Sequence, residues 1–169
     1  TGMNKKELQT MFSSKTNEWA TPIAFFNKIN KIYDFTLDPC CTKETAKCKA
    51  FFTKEDDGLR QSWEGQRVFM NPPYGSQIKH WVKKAYQESR KPDTLVACLI
   101  PARTDTRYWH RYCMKATHIF LIRGRLRFGD GKGSAPFPSA LVVFDYNDTQ
   151  VVEGIYYSGS PLFKGIGRT

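Results

Sequence analysis

No glycine-rich GxGxxG loop, no CxxC pair and no long apolar run occurs in this chain. The first absence removes support for a dinucleotide-binding turn. The second, with five cysteines (Cys40, Cys41, Cys48, Cys98, Cys113) at irregular spacing, argues against a disulfide framework or structural zinc. The third leaves nothing near the roughly 20 apolar residues of a membrane span. Histidine is scarce too: His80, His110 and His118 stand singly, which suits surface or core positions better than a ligand set, so no metal is expected. Reduced thiols and a cytoplasmic setting are the simplest reading. Acids are outnumbered, with 16 Asp and Glu against 26 Lys and Arg, a net charge of +10. That surplus favours a polyanionic partner, nucleic acid first.

What the chain does have is 169 residues with 40% hydrophobic and 14% aromatic content, enough for one domain with a substantial core. Residues 1–18 read as a loosely ordered N-terminal segment. Thr21 reads as a helix N-cap with Pro22 in the first helical position. Short strands are expected at residues 35–38, 50–53 and 67–70, and a longer, fully buried one at 94–100. Ile78, Trp81, Val82, Ala85 and Tyr86 mark one face of a helix over residues 76–90. A second helix is expected over 103–113, begun by Thr104 or Asp105, with further strands at 118–122, 140–145 and 151–157. Strands alternating with helices imply a doubly wound, mostly parallel α/β sheet with helices on both faces. Residues 123–138, rich in Gly, Pro and Arg, form a basic loop or hairpin of a length that is often functional.

The most informative string is Asn71-Pro72-Pro73-Tyr74, directly after the apolar strand at 67–70. The prolines cannot continue a central strand, so Asn71 stands at its carboxyl end, where open α/β sheets bind ligands. The Asn71 side-chain oxygen and the Pro72 carbonyl offer two acceptors for the two hydrogens of an exocyclic NH2, and the Tyr74 ring offers a stacking surface. Such an amine, as in adenine N6, is a poor nucleophile because its lone pair is delocalised. Fixed acceptors on both N–H groups favour a pyramidal, more electron-rich nitrogen and stabilise the charge that develops on it. A sulfonium methyl donor such as S-adenosylmethionine matches that chemistry. The competing reading is a plain turn.

Asp38, at the end of an early strand, and Asp57, in an acidic turn, are candidate cofactor contacts; an N-cap and a solvated charge cluster are the alternatives. Pro39-Cys40 invites comparison with the nucleophile of cytosine C5 methyltransferases. The motif order is wrong for them, and Cys40 and Cys41 read as packing or cofactor-wall residues. Arg103, Thr104, Arg107, Arg123, Arg125 and Arg127 gather near expected strand ends among Tyr108, Trp109 and Phe128, a composition suited to phosphates and bases.

Taken in order, Trp19-Ala20-Thr21-Pro22, Phe35-Thr36-Leu37-Asp38, Asp56-Asp57-Gly58-Leu59, Asn71-Pro72-Pro73-Tyr74-Gly75 and Gly124-Arg125-Leu126-Arg127-Phe128 make the chain resemble phage-encoded DNA N6-adenine methyltransferases. The similarity runs over residues 13–145. It implies a class I methyltransferase (Rossmann-like) fold, S-adenosylmethionine as cofactor and adenine in DNA as target. By the same resemblance Asn71, Pro72, Pro73 and Tyr74 hold a flipped base, and Trp19, Thr21, Pro22, Asp38, Pro39, Cys40, Asp57 and Asn71 line the cofactor pocket. One departure is that Asp38-Pro39-Cys40-Cys41 stands where many larger relatives carry a glycine-rich turn. With no room for a separate recognition domain, site preference is expected from residues 123–138 and 103–107. A monomer or weak dimer is expected. The rival readings are a methyltransferase of another planar amine, in RNA or a protein glutamine, and a non-catalytic nucleic-acid-binding protein of the same fold.

Overall fold

The protein is described from a computed structural model that covers residues 19–128 and 133–148 and the backbone of 155–157. The expectations for residues 1–18, for the tip of the 123–138 segment and for a strand start at Val151 lie outside the described residues. The elements run α1 (Ile23–Tyr33), β1 (Leu37–Asp38), β2 (Ala50–Phe51), β3 (Arg67–Met70), α2 (Ile78–Glu88), β4 (Leu95–Pro101), α3 (Arg107–Arg111), a 3-10 turn (Cys113–Lys115), β5 (His118–Leu121), β6 (Ser139–Asp145) and β7 (Ile155–Tyr157). One seven-stranded sheet has the order β2-β1-β3-β4-β6-β5-β7. Strand β6 runs antiparallel to both β4 and β5, while β2, β1, β3, β4, β5 and β7 share one direction. The sheet is thus mostly parallel, as expected for this fold.

Register shows where the helices lie. Paired residues project from the same face of a sheet and successive residues from opposite faces. Val68 pairs with Val96, and Val96 with Phe144; Phe69 pairs with Ala97, and Ala97 with Val143. The Phe26 ring of α1 stands 5.1 Å from Phe69, and the Tyr86 ring of α2 stands 6.0 Å from Phe144. Helices α1 and α2 therefore cover opposite faces. Strand β4 is buried along its whole length, which explains its uninterrupted apolar sequence.

Local expectations held unevenly. Strand β3 and helix α2 lie where the pattern puts them. Two helix starts differ. Helix α3 begins after Thr106, whose hydroxyl accepts from the Trp109 N–H at 3.4 Å and donates to the Arg103 carbonyl at 2.7 Å, so neither Thr104 nor Asp105 caps it. Pro22, not Thr21, holds the cap position of α1, and no side chain caps that helix.

A buried acid ties the loop before β3 to α2. Glu88, only 3% exposed, pairs with Lys84 at 2.5 Å and Lys91 at 2.6 Å and accepts from the Trp63 N–H at 3.2 Å. Burial raises its proton affinity, but these three donors outweigh burial and hold the carboxyl below its usual 4.5. Its stabilisation is thus present above the unfolded-state value and is lost as pH falls through the lower folded-state one. Glu88→Gln is expected to cost about 1–3 kcal/mol, the worth of hydrogen bonds to a charged group. The Lys91 side chain is well exposed, which places its share of the loss toward the lower end of that range. Thermal melts over a falling pH series check this: the variant should be weaker at about pH 7, and the gap should close as pH falls through the lowered folded-state value.

Candidate active site

The carboxyl ends of β1, β3, β4 and β5 all open on one edge of the sheet, and the antiparallel β6 begins there, with Ser139 beside Pro101. Asn71 follows β3 directly at this edge. Its amide nitrogen donates to the Trp19 carbonyl and, at 2.8 Å, to the Thr21 hydroxyl. Its amide oxygen accepts from the Tyr74 hydroxyl at 2.7 Å. A backbone carbonyl is acceptor only, so the NH2 end must face Trp19 and the amide has one possible orientation. Both donors are spent, and the oxygen keeps one lone pair. The Pro72 carbonyl accepts no backbone hydrogen bond from the described residues. Pro72 is buried and Pro73 half-buried.

Tyr74 differs from an open stacking platform. It is buried, its hydroxyl also lies 3.3 Å from the Leu99 carbonyl, and desolvation pushes that hydroxyl well above the usual tyrosine range. It is therefore a phenol that donates. Its ring stands edge-to-face with Phe137 at 5.3 Å and with Phe128 at 6.3 Å. Trp19 meets the same two phenylalanines at 5.4 and 5.7 Å. These four rings form an aromatic box over Asn71.

The box is closed by the basic segment, which is a hairpin in its described part. The Ala135 N–H donates to the Leu126 carbonyl at 2.8 Å, and Arg127 bridges Ser134. Leu126, Phe128, Ala135 and Phe137 are buried, while Arg125, Arg127, Ser134 and Pro136 are exposed. That alternation turns phenylalanines inward and arginines outward. Arg123 is exposed as well, and Arg103, Thr104 and Arg107 are exposed just beyond β4, at the same sheet edge. Phe137 was missed in the sequence because glycines and prolines mask its alternation with Pro136 and Pro138.

A second group surrounds the turn after β1. Asp38 is 4% exposed, and its carboxylate accepts from the Lys47 N–H at 3.0 Å and the Cys40 N–H at 3.5 Å. Burial raises its proton affinity more than these donors lower it. Asp57 is partly exposed, pairs with Arg60 at 3.3 Å and takes a left-handed φ of 54°. The next residue, Gly58, packs on this turn so closely that an added Cβ would lie 2.0 Å from the Pro39 carbonyl oxygen. Asp57, distant in sequence, thus shares one corner with Asp38 and Pro39.

Burial raises the Cys40 thiol far above its ordinary range, with Asp38 adding to the effect, although the Asn71 N–H bonds to it. Burial likewise pushes Cys41 up to about 12. Neither is poised as a nucleophile. The Cys41 sulfur lies 3.8 Å from the Asp38 and Phe52 carbonyls, which makes it a packing residue of this turn. Among the described residues no group of His, Cys, Asp or Glu is placed to hold a metal ion, and no helix is long and apolar enough to cross a membrane.

The sheet, its antiparallel strand β6 and the Asn71 corner define a methyltransferase-like α/β protein. The chain matches the family described as DNA N-6-adenine-methyltransferase (Dam) over residues 9–146, and it belongs to that family. It is 27% identical over 136 residues to the DNA N-6-adenine-methyltransferase of Haemophilus phage HP1, covering 75% of this chain and 78% of that protein. It is 30% identical over 112 residues to the DNA N-6-adenine-methyltransferase of Escherichia phage T1, covering 64% of this chain but only 45% of that longer protein. The protein is accordingly an adenine-specific DNA methyltransferase.

Proposed function

We propose that the Asn71 corner receives an adenine turned out of DNA and presents its N6 for direct methylation, with S-adenosylmethionine as methyl donor. The observation that carries this reading is the fixed Asn71 amide, followed in the chain by a Pro72 carbonyl that accepts no backbone hydrogen bond among the described residues. These two acceptors would take the two N6 hydrogens. They are preorganised dipoles that cost no reorganisation as positive charge grows on nitrogen. Turning a base out of the duplex costs a few kcal/mol. Stacking on an aromatic surface returns about 1–3 kcal/mol per base, and Trp19, the one ring of the four that is only half-buried, is the one that could offer it, with Tyr74, Phe128 and Phe137 packed behind.

When bound, S-adenosylmethionine supplies an electrophilic methyl on a cationic sulfonium. The residues fit such a group. A buried carboxylate, Asp38, is disfavoured as a lone charge there and would be stabilised by a cationic ligand. Gly58 packs directly on the Pro39 carbonyl, and that contact brings Asp57 to the turn that carries Asp38. Asp38, Pro39, Cys40 and Asp57 would hold the cofactor, with Trp19, Pro22 and Asn71 on the side facing the base and the Thr21 hydroxyl engaged by the Asn71 amide.

Arg103, Thr104, Arg107, Arg123, Arg125 and Arg127 would hold the DNA backbone, the last three from the outer face of the hairpin that closes the box. Arg125→Ala is expected to weaken DNA binding and lower the slope of log K against log salt by about one unit. An unchanged slope would remove Arg125 from the DNA surface. For the function itself, the protein is incubated with methyl-labelled cofactor and separate duplex DNA, RNA and protein substrates. Label entering DNA alone supports the reading, and label entering RNA or protein in preference contradicts it.

A further inference from the structure

Thr21 sits where the sequence calls for a helix cap, yet its hydroxyl does not cap α1. It is 6% exposed and accepts a hydrogen bond from the Asn71 amide at 2.8 Å, while α1 has no side-chain cap at all. A Ser, Thr, Asp or Asn cap is ordinarily worth about 1 kcal/mol, so the helix forgoes a stabilisation that its own sequence supplies. Local rules broken in this way gather at functional sites. The Trp19 carbonyl takes another hydrogen bond from the same NH2, and the Tyr74 hydroxyl reaches the oxygen at the other end.

We propose that Thr21 is a positioning residue for methyl transfer, holding the Asn71 amide so that its oxygen faces the base. Thr21 acts through Asn71 and touches neither the base nor the transferred methyl. This inference rests on the reading of Asn71 given above, and it changes the part that the family resemblance implies for Thr21, from cofactor lining to amide positioning. The physical reason is simple. Without the hydroxyl, Asn71 keeps one acceptor for two N–H groups, and the amide is free to rotate away from the productive orientation. Misplacement by about 1 Å at a reacting centre costs on the order of 10²-fold in rate.

The test uses Thr21→Val, which keeps the shape and removes the hydroxyl, and Thr21→Ser, which keeps the hydroxyl. Single-turnover methylation of an adenine-containing duplex is measured together with cofactor affinity in the absence of DNA. Thr21→Val is expected to lose about 10- to 100-fold in rate with unchanged cofactor affinity, and Thr21→Ser to recover most of it. Thr21→Val is also expected to add no further loss in an Asn71→Ala background, because the residue it acts through is gone. If Thr21→Val weakens cofactor binding and leaves the single-turnover rate intact, Thr21 is a cofactor contact and the proposal is overturned. Equal losses from Thr21→Val with and without Asn71 overturn it too. Should the valine variant fail to fold, Thr21→Ala is compared with Thr21→Ser by the same criteria. If Asn71→Ala alone retains full activity, it is the reading of Asn71 that fails, which distinguishes the two.

Discussion

Asn71→Ala is expected to lower the rate of methyl transfer by about 10²–10³-fold, the usual loss when one preorganised polar group is removed from a reacting centre. The alanine methyl cannot accept an N6 hydrogen. It also leaves the Trp19 carbonyl, the Thr21 hydroxyl and the Tyr74 hydroxyl without the partner they share. The Tyr74 hydroxyl keeps the Leu99 carbonyl at 3.3 Å as a second acceptor, so the corner is not expected to collapse. Because the lost contact is to the amine as charge develops on it, the effect should fall on the chemical step. DNA affinity and cofactor affinity are expected to stay near wild type. Single-turnover rates with saturating DNA and cofactor, beside separate binding titrations, check that division. A loss confined to cofactor binding would move Asn71 out of the chemistry.

The second large effect is expected at Gly58. A Cβ there would meet the Pro39 carbonyl oxygen at 2.0 Å and the Pro39 carbonyl carbon at 3.1 Å, both backbone atoms that cannot swing aside. Gly58→Ala must therefore push the 56–59 turn away from the turn after β1. Overpacking typically costs about 1–3 kcal/mol, and a backbone obstacle places this case at or above the top of that range. At roughly 2–4 °C per kcal/mol for a chain of this length, the melting temperature should fall by about 6–12 °C. Cofactor affinity should fall as well, since Asp38 and Asp57 are brought together by that contact. Gly65→Ala is the control. Gly65 has a left-handed φ of 73° but open space where its Cβ would lie, so only backbone strain of about 1–2 kcal/mol is expected there, with cofactor affinity unchanged. Calorimetry and cofactor titration on both variants separate local strain from loss of that contact.

Much of this was legible in the sequence for physical reasons. Strand β3 is a short continuous apolar run and helix α2 a periodic one, both bounded by Gly and Pro, and their positions followed. The antiparallel direction of β6 was not legible, because a strand buried on both faces has the same composition whichever way it runs. The two-residue ladder of β1 carries no periodicity of its own. Thr21 misled because a Thr before a Pro has the same signature whether its hydroxyl turns to its own helix or to Asn71, 50 residues away. Tyr74 misled similarly. An aromatic after two prolines suggests an open ring, but its surroundings depend on Phe128 and Phe137, which only the hairpin's fold brings close.

The central claim is that adenine N6 in DNA receives the methyl at the Asn71 corner. It is tested most directly by digesting methylated duplex DNA to nucleosides and identifying the modified base, with wild type and Asn71→Ala side by side. The expected result is N6-methyladenine as the product of the wild type, and its near-complete loss in the variant at equal protein and time. Methyl groups on cytosine, on another adenine nitrogen, or in equal yield from the Asn71→Ala variant would contradict it.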